Sequence, residues 1–218
     1  MKYIGSKVLE SKRLILRPTK EEDLKVLWNI LKNKEVSKYY LVGKINDNWE
    51  DEKKWQYKKL EKANDKDVFQ WSIVLKPENC CIGQVSCQKS CDDLGNTNPD
   101  NIRDVGWFLD LKYHGKGLGT EAAKLMVDYM FNEVCIDKIE TSAAIENPAS
   151  WKIMERIGFI KTNKIKKVKY TFIPEEVDCY CYEITKKEYT KSGSKIEYLN
   201  LYDNKKIKQI RKLLEVKD

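Results

Sequence analysis

Residues 113–131, YHGKGLGTEAAKLMVDYMF, place three glycines, Gly115, Gly117 and Gly119, directly in front of a helical pattern. Ala122, Leu125, Met126, Tyr129 and Met130 recur at three- and four-residue spacing among good helix formers, which predicts a helix over about 119–132. Glycine is used where φ must be positive or where another group must approach the main chain. At a helix N-terminus the first backbone N–H groups lack intrahelical partners and the helix dipole is positive, so the segment 114–120 reads as an anion cradle. An isolated G-x-G-x-G also fits a turn that binds nothing, so the surrounding chain has to decide.

Working outward, the chain alternates strands and helices. RLILRPT (13–19) alternates like a strand, and Thr19 with Glu22 reads as the capping box of a helix whose apolar stripe is Leu24, Leu27, Trp28 and Leu31. Residues 33–48 are loop-like with an aromatic pair, Tyr39 and Tyr40, and 49–63 form a second helix whose many charges read as a solvated face. Strands are predicted at 68–75, 80–88, 103–110, 138–145 and 177–185, with a short helix at 148–157. The order is β-α-α-β-β-β-α-β-α-β-β, an α/β mixture whose parallel crossover runs through the glycine helix.

Length and composition set bounds. A chain of 218 residues suits one domain with appendages. The net charge of +7 favours anionic partners without choosing among them. Neither a run of about 18 apolar residues nor a signal-peptide core is present, so we expect a cytoplasmic protein with no membrane association. Seven cysteines, an odd number, argue against a disulfide framework, and with His114 as the single histidine no zinc-type spacing exists, so no metal is expected. Cys81, Val85 and Cys87 are expected on one strand face, as are Cys179 and Cys181, all as reduced thiols.

Two basic stretches remain. The five lysines of KTNKIKKVK (161–169) read as a solvated sheet edge, with contact to an acidic or RNA-bearing substrate as the sharper alternative. The compact domain is set at 1–188 and a basic C-terminal extension at 189–218, a linker plus short helix, with Ile207, Ile210, Leu213 and Leu214 as its docking stripe.

Three pieces in fixed order, DVGWFL (104–109), HGKGLGTEA (114–122) and NPASWKIMERIGF (147–159), resemble the GNAT superfamily of acetyl-CoA-dependent N-acetyltransferases over roughly residues 12–188. The likeness is greatest to the branch that acetylates ribosomal-protein N-termini and to related antibiotic acetyltransferases. The family's Q/R-x-x-G-x-G/A loop falls on His114, Gly117 and Gly119, with His114 in place of Gln or Arg. The branch's E-x-G-Y-W-L strand falls on Asp104, Gly106, Trp107, Phe108 and Leu109, and its N-x-x-S…G-F segment on Asn147, Ser150, Gly158 and Phe159. The resemblance implies a GNAT fold, a mixed and mostly antiparallel central sheet flanked by helices, with two strands splayed at the acetyl-CoA site.

On that resemblance the loop His114, Gly115, Lys116, Gly117, Leu118, Gly119 and Thr120 would hold the coenzyme A pyrophosphate, while Trp107, Phe108 and Leu109 would offer a strand edge to its peptide-like arm. Asn147 and Ser150 would contact the same arm. Asp104 is the expected base, the backbone N–H of Phe108 or Leu109 the oxyanion donor, and Ser150 the substitute for the family's usual Tyr acid, since Met154 stands at that position and cannot donate a proton. Ser150 serves equally as a cofactor contact or the cap of its own helix. The expected acceptor is a protein N-terminal amine, with an aminoglycoside or polyamine as the competing small amine, and segments 33–48 and 161–177 should flank its cleft. An acyl-CoA-binding adaptor without turnover stays open. A nucleic-acid-binding role is disfavoured because the basic residues are scattered, and the oligomeric state, a homodimer included, is left open.

Overall fold

The structure, a computed structural model, describes residues 1–92 and 95–191. Its elements are β1 (Leu9–Glu10), β2 (Leu14–Arg17), α1 (Glu21–Lys32), α2 (Lys34–Ser37), α3 (Trp49–Glu61), β3 (Phe69–Leu75), β4 (Cys80–Lys89), β5 (Ile102–Leu109), α4 (Leu118–Tyr129), β6 (Lys138–Ala144), α5 (Pro148–Arg156), β7 (Ile160–Lys169), β8 (Glu176–Thr185) and α6 (Lys186–Lys191). The eight strands form one sheet in the order β1-β2-β3-β4-β5-β6-β8-β7, antiparallel everywhere except the parallel β5–β6 pair. That pair is the crossover through α4, as the alternation of patterns predicts.

Hydrophobic burial assigns the two sheet faces. The main core joins Leu14, Leu16, Trp71, Ile73, Ile82 and Val85 from the strands to Ala122, Leu125, Met126 and Tyr129 of α4. The opposite face is covered by α1 and α2, where Leu27 and Ile30 pack on Phe108. The buried Asp23 carboxylate joins α1 to β2, accepting from the Arg17 guanidinium at 2.5 Å and from the Lys20 backbone N–H at 2.8 Å. The helix is therefore capped at Lys20, not at Thr19. The Thr19 hydroxyl instead accepts from Ser72 at 3.2 Å in the interior, because a buried hydroxyl must find a partner.

Two further expectations change. Cys81 does not share a face with Val85 and Cys87: a bulge in β4 pairs Ile73 with Gly83 but Val74 with Cys81, reversing the side-chain alternation on either side of Ile82. Cys81 thus packs toward Phe108, while Cys87 lies in the main core. The solvated face of α3 has an exception in Glu52, buried and accepting from both nitrogens of Asn46 and from Gln56. None of the seven cysteines is in a disulfide.

The strand β7 is a sheet edge, and its lysines are exposed, as expected of a charged edge. Past β8 the chain continues in α6, whose Tyr189 is buried and stacks on Phe131 at 5.2 Å between ring centroids. The stripe Ile207, Ile210, Leu213 and Leu214 lies outside the described residues.

Candidate active site

The site is built where β5 and β6 part. Strand β5 pairs with β4 from Arg103 to Leu109, but with β6 only at Ile102 and Arg103. Beyond that point the Thr141 hydroxyl reaches across the gap to the Val105 carbonyl at 3.2 Å. The Asp110 N–H donates to the Ile82 carbonyl, which fixes the hydrogen-bond phase of the β4–β5 ladder. Even-numbered residues of β5 therefore bond to β4, and Phe108 exchanges both main-chain bonds with Gln84. Odd-numbered residues turn their main chain to the gap, leaving Trp107 N–H and C=O and Leu109 N–H as open edge groups. Of the two expected oxyanion donors, Phe108 is thus withdrawn and Leu109 remains.

The gap opens onto the glycine loop. Gly115 and Gly117 adopt φ of 72° and 74°, the left-handed region that only glycine enters cheaply, and Gly117 is the N-cap of α4. The N–H groups of Leu118, Gly119 and Thr120 form the first turn and have no intrahelical acceptor. The loop is clamped from behind: Arg13 donates to the Lys116 carbonyl at 2.9 Å and pairs with Glu121, which also accepts from Ser11. A Cβ on Gly119 would come within 3.1 Å of Ile153 Cδ1, so this glycine lets α4 pack against α5. His114 Nε2 lies 2.9 Å from the Leu109 carbonyl, an acceptor only, so Nε2 carries the proton and the ring ties the loop to the end of β5.

At the other end of the gap stands Asp104. Its Oδ1 accepts from the Val105 N–H at 2.8 Å, the Gln88 amide also donates to the carboxyl, and the Thr141 hydroxyl is shared between the carboxyl and the Val105 carbonyl. Burial pushes its pKa above the ordinary carboxylate range, while those hydrogen bonds and the Lys166 ammonium pull the other way. Tyr40 packs edge-on to Phe108 at 4.9 Å and rests on Gly106, where a Cβ would lie 3.4 Å from its ring. Burial pushes the Tyr40 phenol up to about 12, keeping it a neutral donor. Tyr170 is buried opposite, bonded to Cys179 and edge-on to Tyr39.

These parts share one cleft of about 1290 Å³. Asp104, Trp107, Leu109, His114, Gly115, Gly117, Leu118, Gly119, Thr120, Asn147 and Ser150 all line it, and Phe108 and Lys116 do not. The Asn147 side chain caps α5 by accepting from the Ser150 N–H at 3.3 Å. Ser150 is therefore not its helix's cap, and it lines the cleft together with Met154 one turn further on. Segments 33–48 and 161–177 flank the Asp104 end as expected, joined by the bond from Thr171 N–H to the Leu41 carbonyl.

Sequence reasoning overlooked Tyr170, Ser86, which lines the cleft and hydrogen-bonds with Tyr40, and the Arg13–Glu121 clamp, whose members lie far apart in the chain. It also passed over Gly83, although an isolated glycine in a strand pattern signals a bulge or close backbone approach.

The unpaired β5 edge suits a peptide-like arm, and the nest of α4 suits a pyrophosphate at the arm's far end. A carboxylate at the opposite end suits an amine. Among the described residues no group of three or more metal-ligating side chains exists, and no helix is long and apolar enough to cross a membrane.

Residues 13–160 match the family model described as "Acetyltransferase (GNAT) domain". The Bacillus subtilis protein named Uncharacterized N-acetyltransferase YnaD is 27% identical over 184 residues, 83% of this chain and 98% of its own length. Among solved structures, ribosomal-protein-S5-alanine acetyltransferase from Vibrio fischeri has a TM-score of 0.67 at 22% identity, covering 84% of this chain and 98% of that one. Spermidine N-acetyltransferase from Vibrio cholerae, in complex with CoA and spermine, has a TM-score of 0.67 at 19% identity, covering 83% and 99%.

Proposed function

The chain belongs to the GNAT acetyltransferase family, and from that premise we propose that it transfers the acetyl group of acetyl-CoA to the N-terminal amine of a protein or peptide. Acetyl-CoA supplies the activated thioester. The residues that would hold it are Trp107 and Leu109 through their open main-chain groups, the first turn of α4 with Gly115 and Gly117, and Asn147 through the amide nitrogen its capping bond leaves available.

In this reading Asp104 takes the proton of the arriving ammonium. Its raised pKa brings it nearer to neutrality than an exposed carboxylate, which improves it as a base, while the hydrogen bonds from Thr141 and Gln88 hold it in place. The Leu109 N–H donates to the oxygen that gains charge as the amine attacks. The Ser150 hydroxyl passes its proton to the leaving sulfur and takes in its place the proton that the acceptor nitrogen sheds as the amide forms, so the side chain ends as it began. The acid is a hydroxyl because Met154, buried beside it, has no proton to give.

The observation that carries the choice of acceptor is the charge of the Asp104 end. Lys38, Lys166, Lys167 and Lys169 line it against Glu35, Asp104 and Glu146, a poor setting for a polycation. Thiol release from acetyl-CoA with peptides starting in Ala or Ser, with spermidine and with an aminoglycoside tests the reading, with mass spectrometry locating the acetyl group. Acetylation of the peptide α-amine is expected, and turnover with spermidine alone would replace the peptide by a small amine. Seven thiols outside disulfides suit a reducing compartment, so we assign the protein to the cytoplasm.

A further inference from the structure

The lysines at the Asp104 end differ in what they already do. Lys167 pairs with Asp178 at 3.1 Å, and Lys169 donates to the Pro174 carbonyl. Lys38 lies over the Tyr39 ring at 4.8 Å and is drawn to Glu146 and Glu35, and Glu146 accepts from the Tyr39 hydroxyl at 2.8 Å. Among the described residues the Lys166 ammonium forms neither a hydrogen bond nor an ion pair within 4 Å.

Lys166 is nevertheless held in a defined position. It pairs in register with Cys179 on β8, and by strand alternation it shares its face with Val168 and Tyr170. Val168 and Tyr170 pack with Ala144 and Cys179, so the stem of Lys166 leaves a packed platform, not a loose loop. Its charge is felt at Asp104 across the cleft. An acceptor whose amine reaches Asp104 thus brings its next few atoms past an ammonium that no close ion pair holds.

We infer that Lys166 reads a carboxylate next to the acceptor amine, so that the preferred acceptor is a peptide N-terminus with Asp or Glu at its second or third position. The inference rests on the reading of a peptide acceptor. A peptide with Lys or Arg there is repelled, for the same reason that a polyamine is.

Peptides beginning Ala-Asp-Asp, Ala-Gln-Gln and Ala-Lys-Lys, otherwise identical, test this by two readouts: kcat/KM for acetylation, and calorimetric binding to the CoA-bound protein. We expect the acidic peptide to exceed the neutral one by roughly fivefold, the upper range for a partly exposed ion pair, and the basic one to rank last. The ranking should fade in high salt as the charges are screened. Lys166→Gln should bring the acidic-to-neutral ratio to about one, Lys166→Arg should keep it, and Lys166→Glu should invert it. An equal ratio in the parent protein and Lys166→Gln, or tighter binding of the basic peptide, overturns the inference. If no peptide is acetylated but Lys166-dependent binding persists, the peptide-transfer reading falls and the recognition by Lys166 stands.

Discussion

The Cβ position of Gly83 lies 2.1 Å from the carbonyl oxygen of Phe108 and 2.9 Å from the Leu109 Cα, closer than any side chain allows. Gly83 pairs with Leu109 in the close, non-hydrogen-bonded register at the bulge of β4, so its missing side chain fixes how tightly β4 holds the end of β5. That end carries the open main-chain groups of the cleft. Gly83→Ala should cost about 3 kcal/mol by overpacking, and lower the melting temperature by roughly 6–12 °C. A thermal melt of the variant checks this, and an unchanged transition would mean that the strands can move apart freely.

Coenzyme A and acetyl-CoA should stabilise the fold. At 100 times the dissociation constant, one-site linkage gives about 2.7 kcal/mol, a rise in melting temperature of roughly 5–10 °C for a chain of this length. Thermal shift with each compound measures it. An absent shift at saturation would remove the cofactor assignment of the β5–β6 gap and the glycine loop.

Gly117→Asp should abolish cofactor binding in a folded protein. The backbone there is left-handed, which Asp tolerates better than most residues, so the fold should survive. The new Cβ would lie 3.6 Å from the Arg13 guanidinium, so the carboxylate would pull Arg13 from the Lys116 carbonyl that it clamps and add a negative charge beside the helix N-terminus, opposing a pyrophosphate. Circular dichroism should stay native while calorimetry shows no binding; ordinary affinity would reduce the loop to a turn.

Asp104→Asn should lower turnover by about 10²–10⁴-fold, the usual contribution of a general base, while affinity for acetyl-CoA stays near that of the parent. Because burial raises the Asp104 pKa, the acid limb of the parent's kcat/KM profile should lie above the ordinary carboxylate range. The variant should lose that limb and recover in part at high pH, where the acceptor amine deprotonates by itself. Linkage gives a second readout. A carboxyl with a raised native pKa stabilises the fold below its unfolded pKa, and that contribution is lost as pH rises through the native pKa. The Asn variant should therefore melt no lower than the parent at neutral pH. Full turnover at every pH would make Asp104 structural.

The sequence by itself determined what local periodicity and spacing encode. The glycines 115, 117 and 119 before an amphipathic helix predicted the loop and α4, because positive φ and helix initiation are properties of a few adjacent residues. Alternation located the strands of the central sheet from 69 to 185, β7 among them as a lysine-rich edge, and the two charged and aromatic segments named as flanking an acceptor cleft line the Asp104 end of the cleft. What tertiary structure alone decided depends on partners far apart in the chain. Which of Phe108 and Leu109 has a free N–H follows from the ladder phase with β4, and the face of Cys81 follows from a bulge one residue away, a slip of period two that pattern reading cannot register. The cap of α1 moved to Lys20 because the Thr19 hydroxyl found Ser72, 53 residues on. Lys166 looks like any other lysine of its run; only the docking of β7 on β8 across the cleft from Asp104 sets it apart from Lys167, which an adjacent carboxylate on β8 neutralises.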